Sequence, residues 1–249
     1  MSQEIKRRYL GFFGIILALG LMASAFILGH QFKNLRQPGV ITVKGVAEAE
    51  HNASVGTWQV QVSGWGRTYE EAMQNTQQNL NTAVKFLTSQ GFTESERSIA
   101  NLSVNPYTEE YIDDFGKTRY RQNGFKANRS IHLSTKDLAK LQKTVSDIQN
   151  LIAVNQNISF YDPDYYLENL ETIKRDLISK ATQDAYMRAE QFAKTSNVNV
   201  GLLKSASQGY FEIKPVSSAT NDSDYGGGYD TSTIDKKVRL VVTIQYAID

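Results

Sequence analysis

Trp58-Gln59-Val60-Gln61-Val62-Ser63-Gly64-Trp65 alternates apolar and polar side chains, the period of a strand with one face buried and the other wet. Thr68-Tyr69-Glu70-Glu71 follows almost at once and has the Thr-x-x-Glu spacing of a capping box, which starts a helix. Ala72, Thr76, Leu80, Ala83, Val84 and Leu87 then recur along one helical face, and Gln90-Gly91 ends the run. A half-buried strand passing directly into an amphipathic helix sets the local unit: sheet below, helix above.

The same reading extends both ways. Upstream, Val40 to Val46 alternates and predicts a strand that forms a hairpin with the Trp58 strand around Glu48 to Asn52. Downstream, strands are expected at Ser98 to Val104 and Thr118 to Ser134, the second broken at Asn123-Gly124. Tyr107 to Lys117, with Glu109, Glu110, Asp113 and Asp114, reads as a solvated loop. Thr135 to Leu151 predicts a helix with Leu138, Leu141, Val145 and Ile148 as its stripe, and Asn155 to Tyr161 a short strand. Asp162-Pro163 is expected to open the longest helix, running to Ser196 with Leu170, Ile173, Leu177, Ala181, Ala185, Ala189 and Phe192 on its buried side. Strands at Leu202 to Ile213 and Val238 to Ile248 follow. Between them Ser217 to Thr233, with Gly226-Gly227-Gly228, has the composition of a mobile loop. Strands in adjacent pairs with helices between them predict an α+β domain over residues 40–249, a largely antiparallel sheet with helices packed on one face.

The amino terminus has different chemistry. Tyr9 to Gly29 carries no charge and is preceded by Lys6-Arg7-Arg8. At 1.5 Å per residue such a run is about 31 Å long as a helix, the thickness of a bilayer core. It predicts one transmembrane helix over residues 9–29, with residues 1–8 in the cytoplasm and residues 30–39 as a stalk. The basic flank orients the body outward, beyond a membrane that the chain crosses once. The alternative is a secretory signal cleaved after Ala25, since Ala23-Ser24-Ala25 has the small-x-small pattern, leaving a soluble exported protein. Phe26-Ile27-Leu28 continues the apolar run past that point and favours the anchor.

Composition excludes several chemistries. The chain has no cysteine, so thiol catalysis, disulfide scaffolds and thiolate metal sites fall away. A net charge of +1 gives no field for nucleic acid, and none is expected as a partner. His30, His51 and His132 are isolated from one another, and no His-Glu-x-x-His is present, so no metal is expected. The serines lack a Gly-x-Ser-x-Gly elbow, and Gly226 to Gly228 is not followed by Gly-Lys-Ser/Thr. Asp162 and Asp164 read as helix-capping charges, Asp113 and Asp114 as solvated ones. No catalytic residue, cofactor site or metal site is assigned. Tyr107, Tyr111 and Tyr120, and separately Tyr161, Tyr165 and Tyr166, form aromatic groups suited to half-buried sheet positions or to a protein interface.

Several segments together resemble the SIMPL domain family (DUF541) of envelope proteins. Val40-Ile-Thr-Val-Lys-Gly45-Val-Ala-Glu-Ala49 is similar to that family's opening strand, and Ala53 to Val62 to its second. Tyr69-Glu-Glu-Ala72 looks like the start of its first helix. Asn101-Leu-Ser-Val-Asn-Pro106-Tyr107 and Gly124-Phe125-Lys-Ala127 are similar to its central hairpin. Asp184-Ala185, Arg188-Ala189 and Ala193 match its Ala-rich long helix, and Val238 to Ile248 its closing strand. His51-Asn52 departs from the usual Pro-Asp, and Asn197 stands where the helix often ends in glycine. The resemblance implies an α+β envelope domain, a link to stress tolerance and self-assembly, and it supplies no catalytic residues. The expectation is a non-enzymatic domain held at the membrane and acting through protein contacts, as a homo-oligomer or with envelope partners. Its rival is a binding protein or hydrolase for a small envelope ligand, or an accessory subunit of an envelope complex.

Overall fold

The computed structural model describes residue 14 and residues 16–29, 39–217 and 228–248. Residues 16–29 are helical (α1). The rest of the expected span (residues 9–13 and 15), the basic flank, the stalk through residue 38 and the middle of the Gly-rich loop lie outside the described residues. Among those described, no helix is long and apolar enough to cross a membrane.

From Gly39 the order is β1 (Gly39–Asn52), β2 (Val55–Gly66), α2 (Tyr69–Ser89), β3 (Arg97–Ile99), β4 (Ser103–Ile112), β5 (Thr118–Thr135), α3 (Leu138–Val154), β6 (Ile158–Phe160), β7 (Asp164–Tyr166), α4 (Leu170–Thr195), β8 (Val200–Pro215) and β9 (Asp235–Ile248). This is the expected α+β architecture, with two sheets. One is six-stranded, in the order β3-β5-β2-β6, with β4 on β5 and β7 on β2. Its registered pairs are all antiparallel. The other is three-stranded, β1-β9-β8.

Alternation decides which face of the larger sheet is dry. Trp58, Val60 and Val62 of β2 and Ile131 and Leu133 of β5 point inward with Leu80, Ala83 and Leu87 of α2 and Leu141 and Ile148 of α3. Both helices therefore cover one side. Thr68 caps α2, its hydroxyl accepting from the Glu71 N–H at 3.2 Å, while the Glu71 carboxylate accepts from Arg67 N–H rather than completing the box on Thr68.

The chain divides into two compact units, the larger comprising Gly45–Asp184 and Gln208–Val242. Within it α4 touches β1, where the Val46 N–H donates to Asp184 at 2.8 Å, and β8, where the Lys174 ammonium lies over the Phe211 ring. In the smaller unit, which includes Ala185–Ser207, Tyr186 of α4 meets Tyr246 of β9 edge-on at 5.7 Å.

Several expectations are corrected. β1 runs through Glu48 to Asn52, placing His51 in a strand, and pairs with β9 instead of forming a hairpin with β2. The link between β1 and β2 is held from elsewhere, by Ala53 N–H on the Ile234 carbonyl and Ser54 N–H on that of Tyr166. The expected strand at Ser98 to Val104 is two strands separated at residues 100–102, and β4 continues through most of the expected loop to Ile112. β5 is continuous across Asn123-Gly124: Gly124 takes φ 80° and β4 slips register between Pro106 and Thr108, a bulge in place of a break. Thr135 ends β5, and α3 begins at Leu138 behind an Asp137 cap on Lys140 N–H. Asp162-Pro163 leads into β7, and α4 starts later, at Leu170. Its buried side follows Leu177, Ala181, Ala185, Ala189 and Ala193, so Phe192 is 60% exposed.

Candidate functional site

The face of the six-stranded sheet opposite α2 and α3 is built from the other half of the β2 alternation. Thr57, Gln59, Gln61 and Ser63 stand directly opposite Ser134, His132, Ser130 and Asn128 of β5. Ser98 of β3 extends the His132 row, Ser159 of β6 the Gln61 row and Ser103 of β4 the Asn128 row. Gln59 donates to the Ser130 hydroxyl at 3.1 Å across the strands. Asp164 closes one end beside Thr57, and Lys126 the other beside Trp65. Between those two ends the registered side chains on this face are polar donors and acceptors, with no Asp, Glu, Lys or Arg among them. Antiparallel sheets commonly wet one face, so the polarity is ordinary and the absence of charge is the informative part.

Aromatic rings flank the grid. Tyr161 donates its N–H to the Gln59 carbonyl and is 57% exposed; Trp65, 41% exposed, anchors its indole N–H on the Asn123 carbonyl at 2.8 Å. At the Tyr161 end lies an open cleft of about 600 Å³, whose floor is Thr57, Gln59 and His132 and whose walls include Glu96, Arg97, Asp162 and Asp164. A second open cleft, about 620 Å³, lies between Gln142, Tyr165, Ser232 and Asp235 and shares Asp162 with the first. Asp162 and Asp164, expected to cap a helix, thus stand at cleft rims instead. Tyr165 is buried, which pushes its phenol pKa up, and Tyr166 packs on Tyr229.

Two ionic clusters have the burial of structural elements. Hydrogen bonds from the Thr135 hydroxyl and Thr93 N–H, then from the Lys140 ammonium, hold Glu96 at about 2 against the opposing effect of burial. The cluster ties the turn before β3 to β5 and α3, with Thr135 to Glu96 at 2.6 Å and Lys140 to Glu96 at 2.9 Å. The second joins Asp230 to Lys236, a lysine with no exposed surface. Its ammonium donates to the Asp230 carbonyl at 2.6 Å and carboxylate at 3.2 Å. Burial opposes ionisation of Asp230, but donors from Thr233, Ser232 and Lys236 outweigh it and hold the carboxyl far below its usual range. Neither cluster was legible from spacing, because the Lys140 partner is far away in sequence and Asp230 reads as one more polar loop residue.

The β4–β5 hairpin projects past β2, whose pairing with β5 stops at Phe125. Its two faces differ. On one, Glu109 pairs with Arg121 at 3.4 Å and Asn123 at 2.8 Å, Asp113 pairs with Arg119 at 3.0 Å, and Arg121 lies over the Tyr111 ring. Asp113 also accepts from Lys117 and Phe115 N–H, and these bonds lower its pKa. On the other face Ile112 and Tyr120 are 73% and 69% exposed, and Phe115 at the tip is 88% exposed.

Among the described residues no three His, Cys, Asp or Glu side chains converge as a metal site. His132 sits on the open face and His51 in β1, while His30 lies outside the described residues. Residues 41–246 match the sequence model of the SIMPL family, described as a protein of unknown function (DUF541). No curated protein matches the chain.

Proposed function

The chain belongs to the SIMPL family, and we propose that it is a non-enzymatic envelope domain, held at the inner membrane by Tyr9 to Gly29, that works in the periplasm through contacts with further copies of itself. The observation that carries this reading is the two-sided hairpin. Its ion pairs stiffen one face, which leaves Ile112, Phe115 and Tyr120 presented on a braced ribbon. Exposed apolar side chains grouped at one tip are the usual mark of a contact surface. Four acidic residues (Glu109, Glu110, Asp113, Asp114) and three basic ones (Lys117, Arg119, Arg121) surround it. That near-balance lets like surfaces approach without net repulsion. The role in stress tolerance that the family resemblance implies would be exercised by such assemblies.

Sedimentation of the full chain at micromolar concentration is expected to show an oligomer. The combined substitution Ile112→Ser, Phe115→Ser, Tyr120→Ser shifts it to monomer with unchanged circular dichroism. A wild-type monomer, or an oligomer indifferent to these changes, counts against self-association by this hairpin. A different chain recovered by crosslinking in cells would favour an accessory subunit. The anchor has its own test: the mature protein keeps its amino-terminal residues and stays with membranes after carbonate washing. A chain beginning at Phe26 would refute it.

A further inference from the structure

We infer that the face of the six-stranded sheet opposite α2 and α3 is a binding site for an uncharged oligosaccharide lying along β2 between Tyr161 and Trp65. Chemical complementarity selects this ligand. Each sugar hydroxyl is both donor and acceptor, and so are Ser, Thr, Gln, Asn and neutral His side chains. Gln59, Gln61, Ser130, His132 and Asn128 supply these groups from adjacent strands at fixed spacing, on a sheet whose opposite face is locked into the core. Six residues separate Gln59 from Trp65, about 20 Å of strand, which suits several sugar units and not a single small molecule. A pyranose ring is apolar on its C–H face and polar at its edge. Exposed Tyr161 and Trp65 at the two ends offer the flat apolar surfaces that such a face covers.

The charges at the cleft narrow the choice. Glu96 is engaged by Thr135 and Lys140, and Arg97 donates to Thr88 at 2.8 Å. Asp162 and Asp164 remain at the rim, able to accept hydroxyl hydrogen bonds and unfavourable to carboxylated or phosphorylated sugars. A nucleic-acid strand would need a basic track, and the middle rows have none. An inward sheet-on-sheet contact would need apolar side chains, and these rows have none either.

The full chain, in a zwitterionic detergent without a sugar head group, should be titrated with chitotetraose, cellotetraose and polygalacturonate by calorimetry. Trp65 emission is followed in parallel, with Trp65→Phe as the control that leaves only buried Trp58. At least one neutral tetrasaccharide is expected to bind saturably and change the Trp65 emission. Tyr161→Ser and Gln61→Lys, both on the open face, should each weaken binding tenfold or more without altering the thermal midpoint. The proposal is overturned if neither neutral oligosaccharide binds at millimolar concentration, if polygalacturonate alone binds, or if both variants bind like wild type. Protection of this face from hydroxyl-radical footprinting by a second copy, with no sugar bound, would also overturn it.

Discussion

Asp230→Ala is expected to cost roughly 3–5 kcal/mol of folding stability, read as a lowered urea midpoint with an unchanged slope. The reason is the charge left behind. Lys236 is fully buried, and its ammonium has the Asp230 carboxylate and carbonyl as its partners. Removing the carboxylate leaves the ammonium facing one carbonyl inside the protein, and an uncompensated buried charge is among the most costly defects a fold can carry. Lys236→Met should cost less, because Asp230 keeps its donors from Ser232 and Thr233 and, unlike Lys236, retains some exposed surface. The double variant should recover most of the loss. If Asp230→Ala and Lys236→Met are equally mild, the pair is solvated in solution and the argument fails.

Acid gives the same prediction a second readout. The Asp230 carboxyl is held far below its ordinary range in the folded state. Its contribution is therefore present above the unfolded pKa, about 4, and is lost as pH falls through the lower folded value. The gap in stability between wild type and Asp230→Ala should be full at neutral pH and narrow steadily below about pH 4. A gap that persists unchanged into acid would assign the loss to packing instead.

What could be read from the chain follows from what alternation and helical spacing encode. The β2 pattern gives both its dry face, Trp58-Val60-Val62, and its wet one, and the structure uses both as read. Alternation says nothing of the partner. β1 looks like a neighbour for β2 and instead joins β9, far along the sequence. The outer part of β4 escapes the reading because it stands clear of the core, where both faces are exposed and polar residues appear without a period. It is held to β5 by cross-strand ion pairs, a signal that needs the register to be seen. Asp162-Pro163 has the chemistry of a helix start, but the seven residues from Asp162 to Glu168 are used first for β7, whose Tyr165 is drawn into the core. The open face was written in the odd residues of the same β2 octet. What could not be read was that β3, β5 and β6 would line their own polar residues up with it.

Gly64→Ala is expected to destabilise the chain by about 3 kcal/mol, although it adds one methyl group to a strand that otherwise welcomes side chains. A glycine inside an alternating strand marks a close backbone approach, and here the approach is α2. A Cβ at Gly64 would lie 2.5 Å from the Thr76 hydroxyl and 2.9 Å from the Ala72 carbonyl oxygen, and nearer still to the Thr76 backbone nitrogen. Thr76 is fully buried and already bonded to that carbonyl at 2.8 Å, so it cannot swing away. Thr76→Ala in the same chain should give only partial relief, because the backbone obstruction remains. Gly116→Ala is the control. Gly116 sits at the hairpin tip with φ 73° and open space around it, so alanine there costs only the left-handed conformation, about 1–2 kcal/mol. Equal losses at the two sites would mean that α2 stands off β2 in solution. A larger loss at Gly64 carries a second consequence, since Ser63 and Trp65 on either side of it belong to the open face. Pushing β2 away from α2 must displace them, and the emission of Trp65 should shift along with the stability.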